Sequence, residues 1–105
     1  MTPSAQSALL LLFTAAEDQE AFDRMLSGYA VPLLRSLPAV AECRLDRART
    51  GPLGHPPYEW SISLRFPDRQ SVDTALASAP FGRFEDQCRP WAGLCTLLVA
   101  EEWGE

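Results

Sequence analysis

Residues 58–66 alternate without a break. Tyr58, Trp60, Ile62, Leu64 and Phe66 fall on one side, Glu59, Ser61, Ser63 and Arg65 on the other. A period of two, with aromatic and branched residues on one side, predicts a strand with one apolar and one polar face. The Gly54-His55-Pro56-Pro57 turn opens this strand and Pro67-Asp68 closes it. The remaining elements are placed by asking which of its faces they must cover.

The run Ala8-Leu9-Leu10-Leu11-Leu12-Phe13-Thr14 is apolar on both faces. A run this short fits a strand or part of a buried helix, and the polar break around Asp18 favours a strand buried on both sides. Asp18 then reads as a helix N-cap, with Glu17 and Glu20 placed favourably near the positive end of the helix dipole. Phe22, Met25, Leu26, Tyr29, Leu33 and Leu37 follow at helical spacing as one apolar stripe, about four turns long. Pro32 interrupts it, and in an ideal helix its missing N–H and its ring would cost about 3 kcal/mol. A kink around residues 28–32 is therefore expected, with Pro38 ending the element.

Residues 40–49 predict a second strand, Ala41, Cys43 and Leu45 opposite Glu42, Arg44 and Asp46. Residues 50–57, with two Gly and three Pro, predict an exposed loop. After the alternating strand, Asp68 caps a short helix carrying Val72, Ala75, Leu76 and Ala79. Pro80 starts a further helical turn or two, with Phe81, Phe84 and Cys88 on one face. Residues 94–100 form a last strand apolar on both faces, and 101–105 a tail.

The order is βαββαβ: an α+β, ferredoxin-like chain with a four-stranded antiparallel sheet and helices on one side. Both helical stripes must cover the face of Tyr58, Trp60, Ile62, Leu64 and Phe66. The opposite face is part apolar, because the first and last strands are greasy on that side too. A second copy packed sheet to sheet would cover it, so a homodimer through the sheet face is expected.

Composition narrows the function. The 105 residues make one domain, 1–105, with 1–7 read as a flexible lead. A net charge of -5 argues against nucleic acid, for which a basic stripe is expected. All nine basic residues are Arg, which suggests GC-rich coding rather than guanidinium chemistry. The longest apolar run is far shorter than the roughly 20 residues needed to span a bilayer and has no signal-peptide flanks. No membrane association is expected, and the location is read as cytoplasmic. Cys43, Cys88 and Cys95 lack Cys-x-x-Cys spacing and share the chain with a single His. Reduced, mostly buried thiols are expected, with no metal site and no cofactor.

Several phrases resemble the EthD family of the dimeric α+β barrel group. They are Glu20-Ala21-Phe22-Asp23-Arg24, Val31-Pro32-Leu33 followed by Leu37-Pro38, Gly54-His55-Pro56-Pro57-Tyr58, and Leu97-Leu98-Val99-Ala100-Glu101-Glu102. The match runs from about residue 9 to residue 102. The resemblance implies a ferredoxin-like protomer, a dimer built across the sheets and a pocket between sheet and helices. Family members often carry a His in a His-Leu-Pro-Leu phrase where this chain has Ala30. If that His does acid–base work in relatives, this chain cannot do the same work from the same place. Related barrels include cofactor-free monooxygenases, isomerases, dehydratases and haem binders, and fold alone does not choose among them.

Three residues are candidates for acid–base work: His55, the one imidazole, and the phenols Tyr29 and Tyr58. The alternative for His55 is an exposed turn position, since histidine chemistry needs a positioned partner. Tyr29, Ala30, Tyr58, Trp60, Phe81, Phe84 and Trp91 are the candidate lining of an apolar ligand site, with core filling as the alternative. Glu42, Arg44, Glu59 and Arg65 on the other sheet face are expected to pair across the dimer, or else to hold an anion. Cys88 is read as an inert buried thiol. The functional expectation is a protein that binds a small apolar or aromatic molecule, as an auxiliary step in catabolism or secondary metabolism. Whether it is an enzyme stays open, the alternative being a non-catalytic partner of an oxygenase system. Haem binding is disfavoured for want of a core-placed His.

Overall fold

The computed structural model describes residues 6–54 and 57–101. The lead before residue 6, His55 with Pro56, and the tail beyond Glu101 lie outside those residues. The described chain is an α+β, ferredoxin-like fold. Strand β1 (Ser7–Phe13) is followed by helix α1 (Gln19–Met25), a π-helical turn (Leu26–Ala30) and helix α2 (Val31–Arg35). Strands β2 (Glu42–Arg47) and β3 (Trp60–Phe66), helices α3 (Arg69–Leu76) and α4 (Ala79–Cys88), a 3-10 segment (Arg89–Leu94) and strand β4 (Cys95–Glu101) complete it.

The strands lie in the order β2-β3-β1-β4, each antiparallel to its neighbours. β1 is a central strand and carries apolar residues on both faces. Ser7, Leu9, Leu11 and Phe13 are buried beneath the helices, and Ala8, Leu10 and Leu12 are half-buried on the opposite face. Leu9 lies opposite Leu64 and Val99, and Leu11 opposite Ile62 and Leu97, so the helix-facing side is a continuous apolar layer. Pairing extends past the ends of β2 and β3: the Ala41 N–H donates to Arg65 O, Ala48 N–H to Glu59 O, and Glu59 N–H to Phe13 O. The alternation from Tyr58 is thus kept in strand-like backbone, although β3 itself starts at Trp60.

The expected caps are in place. Asp18 Oδ1 accepts the Ala21 N–H at 3.1 Å, and Asp68 Oδ1 accepts the Ser71 N–H at 2.8 Å. Pro80 sits in the first turn of α4, where a missing N–H costs nothing.

The first helical stripe takes a course that simple periodicity does not describe. Pro32 is accommodated within helical backbone by the π turn just before it, whose widened ring pairs the Val31 N–H with Leu26 O. One extra residue per turn rotates everything downstream. Phe22, Met25 and Leu26 are buried as expected, but the stripe then resumes at Ala30, Val31, Leu34 and Leu37. Tyr29, expected on the inner face, is 45% exposed, and Leu33 is only half-buried. The expected distortion is present; its form is an inserted residue, and its consequence is that Ala30 takes the inner place of Tyr29.

α2 packs beside β2, α3 covers β1 and β3, and α4 rests against α2 and α3. Among the described residues no helix lies squarely on β4. Its helix-facing Leu97 is consequently 43% exposed, and its outward Leu98 is 46% exposed.

Candidate functional site

The partly covered strand creates a cleft between β4 and α4. On the sheet side its wall is Leu11 of β1 with Cys95 and Leu97 of β4, and the helix contributes Phe81, Phe84, Glu85 and Cys88. Sequence spacing explains both walls. Alternation puts Leu11, Cys95 and Leu97 on the helix-facing side, while Phe81, Phe84, Glu85 and Cys88 stand at i, i+3, i+4 and i+7 of one helical face. The space has a volume of about 330 Å3 and a lining that is mainly apolar. The Phe81 and Phe84 rings lie 5.6 Å apart, tilted by 40°, and are largely buried behind the wall of the cleft.

The two thiols of the cleft are protonated at neutral pH. Burial pushes Cys88 up to about 12, with the neighbouring Cys95 adding to the rise, and burial raises Cys95 as well. Burial also raises Cys43 on β2, partly offset by the charge of Arg35. None is a poised nucleophile. Among the described residues no cluster of His, Cys, Asp and Glu is arranged to hold a metal ion.

A second polar feature joins α1 to the sheet. Trp60 Nε1 donates to Asp23 Oδ1 at 2.6 Å, and Gln19 Nε2 donates to the same oxygen at 2.8 Å. Gln19 is held in turn by the Ala16 N–H, which donates to its Oε1 at 2.9 Å. The Arg47 guanidinium stands over the Trp60 ring, 5.3 Å from its centroid. A half-buried carboxylate oriented by two donors is a well-held group, and here it satisfies an indole N–H inside a largely apolar layer.

The anticipated lining residues are dispersed. Phe81 and Phe84 meet in the β4–α4 cleft. Trp60 is engaged by Asp23 and Arg47, and half-buried Tyr58 precedes it. Ala30, the last residue of the π turn between α1 and α2, is fully buried, and Tyr29 turns to solvent. Trp91 packs on Phe22 at 5.6 Å and lines a separate groove with Glu17, Asp18, Pro90, Gly93 and Leu94. His55 lies outside the described residues. On the outer sheet face, Arg65 reaches Glu42 at 3.6 Å and Gln6 at 3.4 Å, and Arg44 reaches Asp46 at 3.4 Å. These charges pair within the protomer.

Sequence reasoning passed over Asp23, Glu85, Cys95 and Leu97. Glu85 and Cys95 carried a usable signal, since helical spacing from Phe81 and strand alternation before Leu97 point them the same way. Asp23 carried none, because its partner lies 37 residues away.

No protein-family model matches the sequence, and no curated protein matches it. Solved structures do share the fold. An EthD family protein from Bacillus halodurans C-125 superposes with a TM-score of 0.85 at 22% identity, over 92% of this chain and 98% of that one. Hydroxynitrile lyase from Passiflora edulis gives 0.73 at 14% identity, over 99% and 98%. A dimeric ferredoxin-like protein from Thermobifida fusca gives 0.71 at 10% identity, over 94% and 92%. The EthD resemblance carried by the sequence is matched by a structural neighbour from that family, and at these identities the likeness establishes the fold.

Proposed function

We propose that this protein binds a small apolar or aromatic molecule in the cleft between β4 and α4. The observation that carries this reading is the cleft itself: about 330 Å3 of mainly apolar space lined in part by Phe81 and Phe84, beside a Leu97 left 43% exposed. Small-molecule sites have this make-up, an apolar cavity of a few hundred Å3 with few polar groups. The chemistry inside favours binding over turnover. With Cys88 and Cys95 protonated, Glu85 is the one other acid–base group among the lining residues, and it has no acid–base partner there. A hydroxynitrile lyase is among the structural neighbours, so the fold supports chemistry on small molecules elsewhere. In this chain the well-held Asp23 carboxylate beside Trp60 is the group to examine if turnover is found.

The test is native mass spectrometry of the freshly purified protein, followed by titration with 1-naphthol. Wild type is expected to retain an apolar compound or to bind the probe. Leu97→Asp, at a position exposed enough to accept a charge, is expected to lose most of that binding. Equal binding by the two proteins would place the ligand elsewhere and refute the reading.

A homodimer is the second part of the proposal. Leu10 and Leu12 stand half-buried on the outer sheet face, with Leu10 opposite Leu98 of β4, which is 46% exposed. Glu42, Arg44, Asp46 and Arg65 neutralise one another on the same face. A part-apolar surface with these charges paired is suited to burial against its own copy. Sedimentation of wild type should give a dimer at micromolar concentration and Leu10→Asp a monomer; a monomeric wild type would refute it.

A further inference from the structure

We infer that the occupant of the β4–α4 cleft is a cation: an ammonium-bearing molecule whose apolar body lies on Phe81 and Phe84 and whose charge meets Glu85. This deepens the preceding proposal and rests on the cleft being a binding site. Glu85 projects from the same helical face as Phe81, Phe84 and Cys88 and is exposed along the cleft. Its natural helical partner is Arg89, one turn on, in the favourable acid-before-base order. Arg89 is instead committed to Asp86, its Nη2 donating to Oδ1 at 2.6 Å. Among the described residues Glu85 forms no ion pair or hydrogen bond. A carboxylate left without a partner beside an apolar surface offers a cationic ligand charge pairing and hydrophobic contact together. The net charge of -5 favours the approach of cations and opposes that of anions.

Three probes of one shape test this: 4-phenylbutylammonium, 4-phenylbutan-1-ol and 4-phenylbutanoate, each titrated calorimetrically into wild type, Glu85→Gln and Glu20→Gln. Glu20→Gln makes the same change in net charge at an exposed carboxylate on α1, one already paired with Arg24. Wild type is expected to bind the ammonium about three- to fivefold more tightly than the alcohol, the range of a partly exposed ion pair. The carboxylate should bind weakest. Glu85→Gln should abolish the preference, and Glu20→Gln should retain it. Equal binding of all three probes, or a preference that survives Glu85→Gln, overturns the inference while leaving the cleft as a site. Failure of every probe to bind, or to slow alkylation of Cys88 and Cys95, overturns the cleft reading and the inference together.

Discussion

Breaking the link between Asp23 and Trp60 should have a cost that can be worked out from the contacts around it. The indole N–H lies 2.6 Å from Asp23 Oδ1, and Gln19 Nε2 lies 2.8 Å from the same oxygen. Net contributions of hydrogen bonds to charged groups are about 1.5–3 kcal/mol, and losses rise when a buried donor is left without an acceptor. Asp23→Ala strands both donors and should destabilise by about 2–3 kcal/mol. Trp60→Phe leaves the carboxylate still bonded to Gln19, and it weakens the Arg47 contact, worth about 0.5–1 kcal/mol. Its expected cost is about 1.5–2 kcal/mol. Because one hydrogen bond is removed by either change, the double variant should fall short of the sum by about 1–2 kcal/mol. Each kcal/mol corresponds to roughly 4–8 °C in a domain of this size. Urea unfolding followed by far-UV circular dichroism measures the cycle independently of tryptophan emission. Protein concentration must be held constant, since association would add to apparent stability. Additivity within about 0.3 kcal/mol would show that the two side chains are neighbours without coupling.

Alkaline pH should destabilise the protein through Cys88. The unfolded thiol ionises near 9.0 and the folded one at about 12, so below pH 9 both states keep the proton. Between pH 9 and 12 the unfolded chain alone loses it, and stability falls as pH rises. Cys88→Ala should show a shallower decline of Tm from pH 8 to 11; an unchanged slope would mean the thiol is not held neutral by the fold. Ala39, after the helix-ending Pro38, has a φ of 63°, which strains a side chain bearing a Cβ. Ala39→Gly should relieve about 1 kcal/mol of strain against a smaller entropic loss, raising stability by about 0.5 kcal/mol in thermal unfolding. A lower Tm in that variant would refute the account.

The fold was legible because its signals are local and agree with one another. Alternation from Tyr58 to Phe66, two-faced apolar runs at Ala8–Thr14 and Leu94–Ala100, caps at Asp18 and Asp68, and Pro80 all point to βαββαβ with helices on one side. The two-faced runs belong to β1 and β4, which are neighbours in the sheet, and they did not tell the central strand from the edge strand. The sites depended on something else. Ideal helical spacing carried Tyr29 inward, but a proline resolved as a π turn rotates every later side chain, so Ala30 went inside and Tyr29 outside. The cleft follows from how the helices divide the sheet: α3 settles over β1 and β3, and α4 stands beside β4 without covering it. Asp23 of α1 meets Trp60, the first residue of β3, across 37 residues of sequence. Local periodicity is written in neighbouring residues and specifies elements and their buried faces. Which distant side chains share a cavity is set by the packing of whole elements, and that was decided in three dimensions.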